Sequence, residues 1–464
     1  MATANRILAD TPVATLEAYL AVRGGAALEA ARGAEPSAVV AEIEASGLRG
    51  RGGAGFPTGK KWRTILEAED DAQSKTVIVN GAEGEPGTFK DRCILRNNPY
   101  QVVEGALIAA SVVGADEVIF AVKANVEEGV ERLQFAVKEV CAAGWATPDA
   151  LTIFEGPVEY LYGEETALLE VLEGRPPFPR VTPPFRRGLD EQTVAPPALI
   201  DNLETIANIP GIVLNGAAWF REVGTEKSPG TIVCTISGGT VHAGVDEIPM
   251  GTTLREAIKL IGGGVPEGRE IKAVLPGVST GFIPAAALDT ELTYEAMAQI
   301  GSGLGSAGFI VFTEDDDLTA VTAGASRFLA VESCGQCTPC KRDGLALASL
   351  LERVAASDAT DDDLAQIHDL VSTVSDEARC SLAIQHQTLV TSLLDHFGRD
   401  VAAHVDGTAP AVETIPLVAE FTDVRGGRAY IDENQANKQP DWTYDETDSG
   451  KYPVDRLIDH RETA

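Results

Sequence analysis

The chain has 464 residues, with 70 acidic against 37 basic side chains and a formal charge of −33. That surplus argues against nucleic acid or an anionic membrane surface as a partner, since both are bound through cationic patches. The length exceeds one ordinary core, and no run approaches the roughly 18 apolar residues of a membrane span, so a multidomain chain without membrane insertion is expected.

Residues 1–45 read as one or two amphipathic helices rich in Ala and Glu. The opening MATANRILADTPVATLEAYL lacks the cationic start and apolar stretch of a secretory signal, which places the chain in the cytoplasm. From 46 to 228, apolar strand-like runs such as TVIVN and DEVIFAV alternate with helical stretches, the pattern of a parallel sheet with covering helices. At 229 the character changes: two strand-like runs with Gly turns and then a helix suggest a small α+β unit ending near 325. Residues 326–408 are helical by the spacing of Leu, Ala and Val. The remainder, 409–464, is polar and acidic, and is expected to be an extended arm over a partner subunit or partly disordered.

The helical region carries the densest chemical signal. In ESCGQCTPCKRDG, Cys334, Cys337 and Cys340 set three thiols at intervals of three, the usual introduction to a 4Fe-4S cluster. A fourth ligand is needed, and Cys380 is the only later cysteine. Zinc and a disulfide are the competing readings; four-cysteine zinc sites usually come as two separated Cys-x-x-Cys pairs. Cys93, Cys141 and Cys234 are scattered, which fits buried thiols in a reducing compartment.

Three further runs suggest a ligand site. GLRGRGGAGFPTGKKW places Gly50, Gly52, Gly53 and Gly55 among Arg49, Arg51 and Lys61, so that backbone N–H groups can approach a phosphate. VNGAEGEPGTFKDR leaves a strand with Asn80, Glu83 and Glu85 around Gly84 and Pro86. YGEETALLEVLEG opens a helix with Glu164 and Glu165, which act as first-turn acids or as ligand contacts.

Together these motifs resemble the flavin-bearing 51-kDa subunit of respiratory complex I and the diaphorase subunits of NAD-linked hydrogenases and formate dehydrogenases. The resemblance runs from about 46 to 400. It implies a multidomain α/β fold: a Rossmann-like domain for FMN and NADH (46–228), a ubiquitin-like β-grasp domain (229–325) and a helical bundle with one 4Fe-4S cluster (326–408). It also implies hydride exchange between NAD(H) and FMN, with single electrons passing to the cluster. Carried over by position, Gly50, Arg51, Gly52, Gly53 and Lys61 would cradle the FMN phosphate. Asn80, Glu83, Tyr160, Gly163, Glu164, Asn202 and Thr205 would border the flavin. Glu85 and Glu165 would lie by the nicotinamide and its ribose, and Phe56 would stack on the adenine. Cys334, Cys337, Cys340 and Cys380 would hold the cluster. A thioredoxin-like 2Fe-2S subunit and a larger iron-sulfur subunit are implied partners, either in a complex I type assembly or in a soluble one with a formate dehydrogenase, hydrogenase or other catalytic subunit.

Departures from the family pattern gather at the nucleotide end. Asn80-Gly81-Ala82-Glu83 lacks a flavin-side carboxylate, Asp201 replaces an amide, Thr64 replaces an aromatic and Thr182 replaces a lysine. A lost stacking face forfeits about 1–3 kcal/mol, judged by single-strand base stacking. Arg180, Arg186 and Arg187 are candidates to replace the missing cation. A relay that has lost NADH binding, or a subunit using a different electron carrier, is therefore an alternative expectation.

Overall fold

The computed structural model describes residues 5–68, 75–189 and 196–440. Runs of β-branched residues make the first sheet: β1 (Lys75–Gly81), β2 (Ala115–Lys123), β3 (Leu151–Gly156) and β4 (Ala198–Asn202). All its pairings are parallel, in the order β3-β2-β1-β4. Both faces are covered, as a parallel sheet requires. Val77 and Val79 face the helices Pro99–Val113 and Leu203–Phe220, while Ile78 faces Leu168 and Leu169 of the helix Glu165–Leu172. The chain leaves β1 toward β2 on one side, and β4 adds on the other. Such a switch point opens a crevice beyond the strand ends, where ligands of open α/β sheets bind. Asn80 and Asn202 are register partners at that crevice.

Residues 5–46 hold three helices, Leu16–Ala21, Ala26–Arg32 and Pro36–Ser46, where one or two were expected, and the helix Thr58–Leu66 follows before β1. The first two are fastened by a buried carboxylate: Glu104 accepts hydrogen bonds from the Tyr19 hydroxyl and from the N–H groups of Gly25 and Leu28. After the first sheet come β5 (Thr231–Gly238), β6 (Gly244–Pro249), β7 (Ile271–Leu275), β8 (Ile283–Pro284) and β9 (Gly308–Thr313). These form a second sheet, ordered β6-β5-β9-β7-β8, in which β5 and β9 are parallel and the other pairings antiparallel. The helix Leu254–Gly262, started by a Thr253–Glu256 capping box, packs Leu254 and Ile258 onto Ile232, Ile236 and Val311.

Four helices follow: Leu318–Glu332, Thr338–Ala355, Asp361–Thr373 and Leu382–Val405. The first runs through the expected division at 325, because Phe328 and Leu329 share one core with Leu347, Leu351 and Leu389. Among the described residues no helix is long and apolar enough to cross a membrane.

The C-terminal arm departs from expectation. Its described part folds back on its own chain, forming the antiparallel hairpin β10 (Phe421–Arg425) and β11 (Arg428–Ile431). Buried countercharges draw it there: Glu420 meets Lys123 at 2.7 Å, and Lys438 meets Glu332 at 2.6 Å. Residues 441–464 of the expected arm lie outside the described residues.

Candidate functional site

A cleft of about 680 Å³ opens at the switch point of the first sheet. The glycine loop 50–55 forms one side, the exits of β1 and β4 form the floor, and Tyr160, Gly163, Glu164 and Glu165 close another side. The second sheet's connections supply the opposite wall through Ser279, Thr280, Tyr294 and Ser302–Ser306.

At the mouth, Phe56 is 47% exposed and borders the cleft, so one ring face is open to a ligand. Lys61 lies farther in: its Nζ meets Glu165 Oε1 at 2.5 Å, Asp201 Oδ1 at 3.5 Å and the Ile200 carbonyl at 2.8 Å. Burial works against the ammonium, but the two carboxylates prevail and hold its pKa above the usual lysine value. Asp201 also accepts a hydrogen bond from the Trp62 indole at 2.7 Å. Asp201 thus anchors the helix Thr58–Leu66 to the end of β4.

On the floor, Asn202 donates to Asp91 Oδ2 at 2.7 Å, and the Lys90 ammonium lies 2.7 Å from Asp91, 3.0 Å from Glu204 and 3.1 Å from Asn202 Oδ1. Three acceptors match the three protons of the buried ammonium. Lys90 and Asp91 both border the cleft, yet the sequence reading left them out. Their signal was present: two opposite charges directly after GEPGTF, opening a helix beyond a strand exit.

Several expected contacts prove to be anchoring contacts as well. Glu83 accepts hydrogen bonds from the backbone N–H groups of Lys90, Asp91 and Arg92, so it caps the helix Lys90–Asn97 from the cleft floor. Burial first, and then the Asp91 charge, push its pKa above the usual carboxylate range. Glu164 is the N-cap of the helix Glu165–Leu172, accepting from Thr166 and Ala167 N–H at 3.0 and 2.8 Å. Asn80 donates to the Gly163 carbonyl at 2.9 Å, which joins the β1 exit to the 160–165 segment. Thr205 borders the cleft and accepts from the Arg51 N–H at 2.8 Å.

Arg51 itself corrects the sequence reading. Its guanidinium turns away from the cleft and donates to the carbonyls of Pro229 and Thr231 at 3.2 and 3.0 Å. With 1% exposure it braces the glycine loop against β5, leaving the loop backbone and Arg49 to face the cleft. Arg180 is likewise committed, since it pairs with Glu170 and Glu173.

Glu85 is buried between two parts of the chain. Its carboxylate accepts from the Tyr160 hydroxyl and from the Val278 N–H, each at 2.6 Å. Burial raises its pKa, and these hydrogen bonds oppose that rise. Behind Tyr160, the four expected cysteines line one small pocket with Ser333, Pro179 and Leu161. Donors reach their sulfurs: Gln336 Nε2 lies 3.5 Å from Cys334, and the Ser333 hydroxyl 3.1 Å from Cys340. Backbone N–H groups of Gln336 and Leu382 also face Cys334 and Cys380. Among the described residues no three His, Cys, Asp or Glu converge as a mononuclear metal site would need. Four thiols around one void, with hydrogen-bond donors on their sulfurs, fit a cubane in which each thiolate takes its own iron. Leu161, Cys380 and Leu382 border both the thiol pocket and the large cleft, so one layer of side chains divides them.

The chain is similar to known proteins. Residues 43–211 match the Nuo51 FMN-binding domain, and residues 320–404 match the NADH-ubiquinone oxidoreductase-F iron-sulfur binding region. The NADH-quinone oxidoreductase F 2 subunit of Rhizobium meliloti is 37% identical, over 84% of this chain and 94% of the relative. The NADP-reducing hydrogenase subunit HndC of Solidesulfovibrio fructosivorans is 36% identical, over 84% of this chain and 81% of its own. A crystal structure of an NAD+-reducing [NiFe]-hydrogenase in the H2-reduced state superposes with a TM-score of 0.75 at 32% identity, over 85% of this chain. This chain spans 65% of that hydrogenase chain's length. The fold, the cleft and these matches place the chain in the family of FMN- and 4Fe-4S-bearing subunits of NADH-quinone oxidoreductases and hydrogenases, the electron-transfer subunits of multi-subunit oxidoreductases.

Proposed function

We propose that the cleft holds FMN over the exits of β1 and β4 and admits NAD(H) from the mouth at Phe56, and that Cys334, Cys337, Cys340 and Cys380 hold the cluster behind it. The observation that carries this reading is the shared wall: Cys380 and Leu382 border both the cleft and the thiol pocket. When bound, FMN converts a two-electron hydride exchange into single electrons, and the cluster takes those one at a time. The chain's own part is positioning. Glu85 is fixed by Tyr160 and Val278, Lys61 by Asp201 and Glu165, and Asn80 by Gly163. No protein acid is required for hydride exchange, so held geometry and exclusion of water carry the protein's contribution.

The parallel sheet is read as Rossmann-like. The second sheet is read as a β-grasp domain, on the strength of its parallel central pair β5 and β9 with hairpins to either side. The same reading assigns 46–228 to FMN and NADH, about 229–317 to the β-grasp unit and about 318–408 to the cluster bundle. A 2Fe-2S subunit and a larger iron-sulfur subunit are the proposed partners, within a cytoplasmic assembly of hydrogenase or formate dehydrogenase type.

A second reading, a relay without NADH binding, draws support from two contacts. Thr64 bonds back to the Lys60 carbonyl and offers no ring face, and Arg180 is committed to Glu170 and Glu173. Anaerobic addition of NADH, NADPH and dithionite to the holoprotein separates the two readings. The flavin absorbance is expected to bleach with NADH; bleaching by dithionite alone would leave the relay standing.

A further inference from the structure

Lys341 directly follows Cys340, yet its side chain turns inward and is only 1% exposed. Its ammonium lies 2.9 Å from the Ala330 carbonyl, 3.3 Å from the Val331 carbonyl and 2.9 Å from the Ser333 carbonyl. Ala330 and Val331 belong to the last turn of the helix Leu318–Glu332, so carbonyls left open at a helix end accept the three protons of the ammonium. Hydrogen bonding is thereby complete, but charge is not. Among the described residues no carboxylate lies within ion-pair reach of Lys341: Glu332, which acts on it from farther away, is held by Lys438 at 2.6 Å. The helix end supplies roughly half an elementary negative charge, so a buried positive excess remains. Such a charge is costly unless an anion meets it. The thiol pocket lies beside it. Ser333 ties the two together, since its carbonyl accepts from Lys341 while its hydroxyl lies 3.1 Å from the Cys340 sulfur and it lines the pocket. Electrostatic attraction also links Lys341 to the Cys334 and Cys340 sulfurs. As free thiols these groups are neutral and leave the ammonium unmatched; as thiolates on iron they carry the missing negative charge.

We infer that Lys341 is the buried countercharge of the cluster: it helps to hold the anionic thiolate set and raises the cluster's reduction potential, which makes the cluster a better acceptor for an electron leaving the flavin. This rests on the reading that the four thiols hold a 4Fe-4S cluster. Each electron taken up adds negative charge to a centre that is already anionic, and a fixed positive charge in a buried, low-dielectric setting favours that state. Lys438 takes part by neutralising Glu332, whose bare carboxylate would offset Lys341. It comes from the C-terminal arm, beyond the matched iron-sulfur region 320–404.

A plain helix cap is the competing role, and substitution separates the two. Lys341→Gln keeps N–H donors for the carbonyls and loses the charge, whereas Lys341→Arg keeps both. The cluster midpoint of each holoprotein is read by electron paramagnetic resonance during an anaerobic redox titration, with the flavin midpoint read by absorbance in the same series. In Lys341→Gln the ratio of reduced to oxidised cluster at a given potential is expected to fall about tenfold, a shift of about 59 mV to lower potential for a one-electron couple. Lys341→Arg should stay close to the unaltered protein, and in both variants the flavin midpoint should move less than the cluster's. An unchanged cluster midpoint in Lys341→Gln would overturn the countercharge and leave a cap. Equal lowering in Lys341→Gln and Lys341→Arg would also overturn it, since packing and not charge would then be at fault. If Lys341→Gln folds with its flavin but retains no iron while Lys341→Arg retains it, the countercharge is upheld as a condition for holding the cluster at all. Lys341→Met repeats the comparison if Lys341→Gln fails to fold, and failure of both to fold with a flavin would make Lys341 a packing residue and sink the proposal. If the unaltered protein shows no cluster resonance on reduction with dithionite, the cluster reading fails with the countercharge. If it shows one while Lys341→Gln keeps the same midpoint, only the countercharge fails.

Discussion

At Glu85, hydrogen bonds arrive from two distant parts of the chain, the Tyr160 hydroxyl and the Val278 N–H. The carboxylate is buried and its pKa is raised, and each of these donors pulls that value back down. Tyr160→Phe removes one donor without changing the ring, so the Glu85 pKa should rise further. If ionised Glu85 orients the dinucleotide, the acid limb of the kcat/KM profile for NADH moves to higher pH in the variant. An unchanged acid limb would mean that Glu85 has no such role. The loss of a hydrogen bond to a charged group also costs about 1.5–3 kcal/mol, read by denaturant unfolding. Residue by residue, sequence motifs identified which side chains gather at the cleft but not which way each one points. Arg51 lies in the glycine loop, where a cation is expected to meet a phosphate, yet it is the Pro229 and Thr231 carbonyls from beyond 150 positions away that capture it. No local pattern carries that information.

The helix Glu165–Leu172 shows how one residue can serve an element and a site together. Glu164 accepts two backbone N–H groups at its start and also borders the cleft. The two roles separate by substitution. Glu164→Ala removes the cap and should cost about 1 kcal/mol of stability. Glu164→Ser keeps a capping oxygen and should restore most of that loss in a thermal melt. FMN affinity of Glu164→Ser, measured by flavin fluorescence on reconstitution, then reports the contact alone: wild-type affinity would reduce Glu164 to a cap. Elements were readable where their patterns are strong. TVIVN and DEVIFAV became β1 and β2, whereas β4, a five-residue strand directly after Pro196-Pro197, gave no such run. The cleft wall of Ser279, Thr280 and Ser302–Ser306 was not readable at all, because it exists only through the docking of the second sheet on the first.

Across the whole molecule, the C-terminal strap joins the two functional ends. Glu420 pairs with Lys123 at the end of β2, and Lys438 pairs with Glu332, two residues before Cys334. Glu332 also accepts the Tyr160 N–H at 3.0 Å, so one carboxylate touches the strap and the Tyr160 wall of the cleft, just before the segment that carries the thiols. Burial alone would raise the Glu332 pKa, but Lys438 prevails and holds it below the usual glutamate value. A carboxylate with a depressed folded pKa adds stability that is present above its unfolded pKa of about 4.3 and lost as pH falls through the folded value. Lys438→Met keeps much of the buried volume and removes the countercharge. It should lower the unfolding free energy by about 3–5 kcal/mol at pH 7, because it leaves an uncompensated buried charge. The deficit should shrink as pH falls, first because burial without Lys438 raises the Glu332 pKa in the variant and protonation removes the bare charge, and then, below the unfolded pKa of about 4.3, because the unaltered protein loses its own share. Denaturant melts of the holoprotein at pH 7 and at pH 4 measure both effects. A deficit equal at the two pH values would mean that Lys438 acts through packing and not through its charge.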